Sequence, residues 1–179
     1  MNFLLGISRG IDALNEKIGA WVSWLSLAAV LVSSANAIMR YSFDLSSNAW
    51  LELQWYLFSA MFLLAAAYSL RHNEHVRIDI IFNRLSPKKQ AMIDTFGVII
   101  FLFPMTLLII YDGWKFFEEA WRIQEMSANP GGLIRWPVKI LIPVGFTLLF
   151  LQGISQLIKQ IAFLCDKAEN PLEYHEKVR

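Results

Sequence analysis

Four apolar segments, each long enough to cross a lipid bilayer, constrain the fold of this 179-residue chain more than any other feature. A helix rises ~1.5 Å per residue and the hydrocarbon core is ~30 Å thick, so about 20 apolar residues span it. Inside lipid the backbone amides must be satisfied within their own segment, which makes such runs helices. The sequence therefore predicts an all-α integral membrane protein, one domain over residues 1–179, with transmembrane helices at about 18–39, 50–70, 93–110 and 138–163.

The composition agrees with a membrane protein and gives no sign of a nucleic-acid partner. Hydrophobic residues make up 56% of the chain and the mean hydropathy is +0.43, above the values usual for a soluble domain. The net charge is only +1, which is not the basic excess that nucleic-acid phosphates attract. Membrane lipids are the expected surroundings.

The distribution of Lys and Arg predicts the orientation. Eleven of the 16 lie in the N-terminal segment, the loop between the second and third spans, or the C-terminal tail. The positive-inside rule then places both termini in the cytoplasm, and the single cysteine, Cys165, on that reducing side.

Ala35-Asn36-Ala37 resembles a signal-peptide cleavage site. The apolar run before it is longer than the core of a signal peptide, so we expect the first span to stay uncleaved.

Several stretches are predicted to form amphipathic helices at the membrane surface. Residues 3–17 place apolar side chains at helical spacing, which is typical of an interfacial helix. A solvated extension of the first span is the alternative. Residues 78–85 repeat this pattern in the second loop. The run from Pro87 to Met126 is too long for one span, so we expect Pro104 to kink it and the residues beyond Asp112 to rest on the periplasmic interface. Four tryptophans are predicted interface anchors: Trp50, Trp114, Trp121 and Trp136.

Two rows of residues predict close contacts between helices. Small side chains three or four positions apart in the first span favour the approach of another helix, in this chain or in a partner: Ser26, Ala29, Ser33 and Ala37. In the fourth span, Gln152, Gln156 and Gln160 recur every four residues. Amides facing lipid lack partners, so this row is expected to face protein or, toward Gln160, headgroups, and we favour a helix contact over a substrate path.

Glu52 is a charged residue just inside the second span, where an unpaired carboxylate is costly. It is either hydrated near the headgroups at a helix N-terminus, or paired with Arg40 or with a cation of a partner protein. Arg71 and Asp79 are candidates for a similar role at the cytoplasmic face, with solvent exposure as the alternative. The predicted partner-interface residues are Arg40, Glu52, Arg71, Asp79, Gln152 and Gln156.

The sequence offers no catalytic, cofactor or metal site. All three histidines lie outside the spans, whereas haem ligation in a membrane anchor needs a histidine within a span. No nucleophile with a base, glycine-rich phosphate loop or carboxylate pair stands out. We therefore do not expect an enzyme.

A set of short motifs resembles one known family. Met39-Arg40-Tyr41 is followed about ten residues later by Trp50 and Glu52, and then by Arg71-His72-Asn73-Glu74-His75-Val76-Arg77-Ile78-Asp79. With the chain length and the four spans, this order resembles the small membrane subunit of tripartite ATP-independent periplasmic (TRAP) transporters. Leu51-Glu52-Leu53 departs from the pair of adjacent acids that many relatives carry.

The resemblance implies a scaffold subunit without a site of its own. In that family a periplasmic binding protein delivers an organic acid, and a large permease subunit holds the substrate and sodium sites. The implied location is the cytoplasmic membrane of a bacterium or archaeon. Two alternatives stay open: a self-sufficient small transporter that forms homo-oligomers, and a membrane anchor of another complex.

Overall fold

The computed structural model describes residues 2–45, 47–72 and 85–165, and all its regular elements are helical. The long helices are α1 (Asn2–Phe43), α2 (Asn48–Arg71), α3 (Pro87–Gly97), α4 (Phe103–Arg122) and α6 (Leu141–Leu164). A π-helical turn, Val98–Leu102, joins α3 to α4, and the short helix α5 (Trp136–Lys139) precedes α6. Among these residues, four helical stretches are long and apolar enough to cross a membrane, in agreement with the four predicted spans.

The first span is much longer than predicted. α1 is one helix of 42 residues, or ~63 Å. Residues 3–17, predicted to form a separate interfacial helix, are instead its first turns. The segment extends the first span, as in the alternative, but its polar face is not solvated. The polar positions Ser8, Asp12 and Asn15 are buried, whereas Leu4 and Leu14 are exposed. These polar residues pack against the end of α6 rather than facing the surroundings.

The third span is also continuous, from Pro87 to Arg122. The π-turn ends two residues before Pro104, which has no N–H to donate and whose ring excludes the usual bond to the carbonyl four residues back. The wider turn thus accommodates the proline within the helix. The stretch beyond Asp112, predicted to be a separate helix at the interface, is the continuation of α4.

Helix α6 lies at the centre of the bundle and contacts α1, α2, α3 and α4. Small residues make this possible: a Cβ atom on Gly145 would lie 2.7 Å from the carbonyl oxygen of Leu63, so the backbones of α6 and α2 are in direct contact there. Large apolar side chains point outward instead, among them Trp21, Phe62 and Phe101. In a bilayer that outer surface faces lipid or another subunit.

Candidate functional site

Glu52 is the centre of a polar cluster at the loop end of the bundle, hereafter the loop cluster. Glu52 is only 4% exposed. Its carboxylate accepts three hydrogen bonds from the protein. Ser127 Oγ and Asn129 Nδ2 donate to Oε1, the latter at 2.9 Å, and the backbone N–H of Leu133 donates to Oε2 at 2.7 Å. The donors all come from the loop between α4 and α5, so the carboxylate fixes that loop to α2.

The loop itself, residues 123–135, is shaped to surround the carboxylate. The N–H of Ser127 donates to the carbonyl of Leu133 at 3.0 Å, which closes a narrow antiparallel turn. Gly131 has a φ of +70°, a conformation that L side chains rarely adopt. A Cβ atom on Gly132 would lie 2.8 Å from Glu52 Oε1, so only glycine allows the backbone this close.

Three residues of α2, each one turn apart, hold this loop. Asn48 Nδ2 donates to the carbonyl of Pro130 at 2.9 Å, and Tyr56 Oη donates to that of Ile134 at 2.8 Å. Glu52 lies between them. Positions i, i+4 and i+8 share one helix face, so the spacing of Asn48, Glu52 and Tyr56 was a sequence signal for a common partner.

Of the alternatives considered for Glu52, a direct pair with Arg40 is not present among the described residues. Among the described residues no ion pair joins them, and the exposed Arg40 guanidinium lies 5.8 Å from the centre of the neighbouring Tyr41 ring. The cation on the Glu52 side is Arg135, whose Nη2 donates to Ser127 Oγ at 3.3 Å. The free-energy cost of removing the Glu52 carboxylate from water is offset by hydrogen bonds from neutral donors and not by a direct ion pair.

The predicted tryptophan anchors lie at the same end. Trp121 and Trp136 stack edge to face with their ring centres 4.6 Å apart, next to Phe117. Trp50 and Trp114 are each about half exposed. Aromatic rings in this position suit the boundary between hydrocarbon and headgroups.

A second cluster joins α1, α2 and α6 at the other end, hereafter the charged seam: Asp12, Glu16, Arg71 and Lys159. The Asp12 carboxylate pairs with Lys159 and accepts hydrogen bonds from Ser155 Oγ at 2.7 Å and Gln152 Nε2 at 3.0 Å. Arg71 Nη1 donates to Glu16 Oε2 at 2.5 Å and to the carbonyl of Asp12 at 2.6 Å. One charge network thus connects three helices.

The glutamine row serves contacts within the chain at two of its three positions. Gln152 accepts from Asn15 Nδ2 at 2.8 Å, and Gln160 accepts from Thr95 Oγ1 at 3.2 Å. The side-chain oxygen of Gln156 is buried without a hydrogen bond. Asp79 and the predicted helix at 78–85 fall, except for Leu85, outside the described residues.

Sequence reasoning missed Asp12 because residues 3–17 were interpreted as an interfacial helix. The usable signal was polar rather than apolar: Ser8, Asp12 and Asn15 share one face of α1, and Gln152, Ser155 and Lys159 share one face of α6. Two matching polar faces in apolar helices indicate that the helices pack together there.

The two clusters lie about one membrane thickness apart. Glu52 and Arg71 are separated by 19 residues of α2, which corresponds to ~28 Å along the helix axis, close to the ~30 Å of the hydrocarbon core. Each cluster uses its carboxylates to hold chain segments together. Neither presents an arrangement for acid–base or nucleophilic chemistry.

Comparison with known proteins gives consistent matches. Residues 29–163 match the family described as "Tripartite ATP-independent periplasmic transporters, DctQ component". A Haemophilus influenzae protein named as a TRAP transporter small permease is 30% identical over 108 residues, 60% of this chain and 62% of that protein. The C4-dicarboxylate TRAP transporter small permease protein DctQ of Vibrio cholerae is 24% identical over 120 residues, 64% of this chain and 50% of that protein. The matched segments thus span between half and two thirds of these relatives' length.

Replacing Glu52 by Gln should release the loop of residues 123–135. The amide can still accept from one donor, but its NH₂ group meets donors where the second carboxylate oxygen stood. We expect the backbone N–H of Leu133 to exchange with deuterium at least about ten-fold faster, as measured by hydrogen-exchange mass spectrometry in detergent. Glu119→Gln is the matched control, because Glu119 is an exposed acid at the same end. Equal exchange in both variants would show that Glu52 does not hold the loop.

The Asp12–Lys159 pair should contribute measurably to the stability of the bundle. In a double-mutant cycle with Asp12→Asn and Lys159→Met, we expect a coupling free energy of about 1–2 kcal/mol, between the values for exposed and buried pairs. Equilibrium unfolding in mixed detergent gives the free energies. The exposed pair Glu119–Arg122 serves as the reference cycle, with a coupling below about 0.5 kcal/mol. Additive effects at Asp12 and Lys159 would contradict a stabilising pair.

Proposed function

The chain belongs to the DctQ component family of the tripartite ATP-independent periplasmic transporters, and we propose that it is the non-catalytic small membrane subunit that scaffolds the large permease subunit. The family is a transporter component and not an enzyme. The observation that carries the scaffold role is the pair of clusters at the two ends of the bundle. They join three helices and a loop by hydrogen bonds and ion pairs, and leave a broad apolar surface facing outward.

The proposed partners are the large permease subunit and a periplasmic binding protein, and the proposed cargo is an organic acid imported with sodium. Two things support this: the family description names periplasmic transporters, and the Vibrio cholerae relative is named for C4-dicarboxylates. That relative shares 24% identity with the chain, so a carboxylate is proposed only as a substrate class. The substrate site belongs, on this proposal, to the large subunit.

The surface proposed for the large subunit is the small-residue face of α1. Ser26, Ser33 and Ala37 are exposed and Ala29 is half-buried. Small side chains in a transmembrane helix let another backbone approach closely, which is how helices associate in lipid. Arg40 stays a candidate interface residue, because it is exposed and forms no ion pair among the described residues. Gln156 also stays a candidate by proposal, although its side-chain oxygen is buried within the chain. The polar groups of three other predicted interface residues form hydrogen bonds within the chain: Glu52, Arg71 and Gln152.

The proposed location is the cytoplasmic membrane of a bacterium or archaeon, with both termini inside. The excess of Lys and Arg on the side of the termini supports this orientation. The loop cluster then lies at the periplasmic face, the charged seam at the cytoplasmic face, and the tryptophans Trp50, Trp114, Trp121 and Trp136 anchor the periplasmic end in the headgroup region.

Cysteine labelling tests the orientation. Cys165 is the only cysteine, so Cys165→Ser provides a background without thiols. In that background we expect Ala128→Cys to react with a membrane-impermeant maleimide on intact cells, and Lys89→Cys to react only after the membrane is permeabilised, because both positions are exposed on opposite ends of the bundle. Labelling of Lys89→Cys on intact cells would reverse the orientation.

The scaffold function is tested by assembly and transport together. With a large permease subunit and a binding protein of the same system, we expect uptake of a radiolabelled C4-dicarboxylate or another organic acid to require this chain. Ser33→Leu should reduce co-purification with the permease and uptake in proportion, because the larger side chain holds the helices apart. Ser34→Leu, the same change a quarter turn away, is the control. Transport by the chain alone in liposomes would instead support a self-sufficient transporter.

A further inference from the structure

An apolar groove opens at the loop end of the bundle, between the end of α1 and the start of α2. Its volume is about 520 Å³, within the range of ligand pockets. It is lined by Ala35, Asn36, Met39, Leu45, Ser47 and Trp50. Trp50 is two residues before Glu52, so it projects from nearly the opposite side of α2. The groove therefore lies away from the loop cluster, on a side of the chain that the loop of residues 123–135 does not hold.

The depth of the groove matches one edge of the bilayer. Four residues link α1 to α2, so the end of α1 and the start of α2 lie at a similar depth. Trp50 marks the interface and is about half exposed. Met39 and Ala35 lie one and two turns below the end of α1, toward the hydrocarbon core. The opening thus faces headgroups at one end and acyl chains at the other.

A cation, Arg40, directly follows the lining residue Met39 on α1. Arg40 follows Asn36 by one turn on the same face of α1, a spacing at which helix neighbours have Cβ atoms about 5–6 Å apart. Its guanidinium is exposed, and within the described parts of the chain it forms no ion pair. Asp44, the next acid along the chain, is exposed and not paired with it. A planar guanidinium is well matched to a phosphate.

We propose that this groove binds a phospholipid of the adjoining leaflet, with its phosphate on Arg40 and one acyl chain between α1 and Trp50. The apolar groove suits an acyl chain, and the positive guanidinium of Arg40 is complementary to the negative phosphate. The bound lipid fills the gap where α1 and α2 diverge, and it fixes the depth of this end of the chain in the bilayer. The inference is independent of the transporter role and would hold for the chain alone.

Native mass spectrometry of the full chain in detergent tests the site, with phosphatidylglycerol as the titrated probe. We expect wild type to retain one phospholipid that Ala35→Leu lacks, because the added side chain occupies the groove. Arg40→Gln should bind the probe about five-fold more weakly, as for the loss of one charge-assisted contact, and Arg40→Lys should recover part of that loss. Arg40 is exposed, so its variants test the site even if Ala35→Leu does not fold.

Two matched controls separate this groove from general lipid binding. Ala37→Leu makes the same change outside the groove lining, and Arg122→Gln removes an exposed cation that is already paired with Glu119. Both are expected to bind phosphatidylglycerol as wild type does. Equal binding by all variants, or equal loss in the controls, would overturn the proposal. So would a photocrosslinker at position 35 that reacts in native membranes with a protein and not with lipid.

Discussion

The low polarity of the hydrocarbon core is the constraint on which this structure depends. A polar group that leaves water for lipid must find its partner inside the protein. The chain satisfies this by gathering polar side chains at two depths, Glu52 with its loop at one and the charged seam at the other, about one membrane thickness apart. Between these depths the helices contact one another through small residues such as Gly145 and through apolar side chains. The polar contacts determine which segments meet, and the small residues determine how closely.

These contacts also explain why buried charges occur among apolar helices. A carboxylate that accepts three donors from one loop, as Glu52 does, specifies a single loop conformation, whereas apolar contacts tolerate several. Asp12 plays the same part among helices, because it meets Lys159 only in one register of α1 against α6. If the chain scaffolds a larger subunit, as proposed, this specificity keeps the surface that it offers constant.

The sequence was sufficient for the number of long apolar helices but not for the partners of the polar groups. Hydrophobicity over about 20 residues is a local property, so a short segment of sequence is enough to predict it. Glu52 was singled out as a costly charge, and Arg40, which is near it in sequence, was one of the partners considered. The actual partners, Ser127 and Leu133, lie 75 or more positions away in the sequence. The packing of the helices brings the loop of residues 123–135 over Glu52. Asp12 was missed because its segment was interpreted as an interfacial helix, and the face of α6 that it contacts is also remote in the chain.

The π-turn in the third span has a consequence for how this chain aligns with other sequences. The buried positions Ala91 and Val98 are seven residues apart, as are Thr106, Gly113 and Ala120, but Val98 and Thr106 are eight apart. The turn thus absorbs one residue beyond a regular heptad spacing and keeps the same face toward α6 on both sides of Pro104. A homologous span built as an uninterrupted α-helix needs one residue fewer between these two halves. A correct alignment with such a span places a one-residue gap there, and an ungapped alignment assigns every core position on one side to the wrong face.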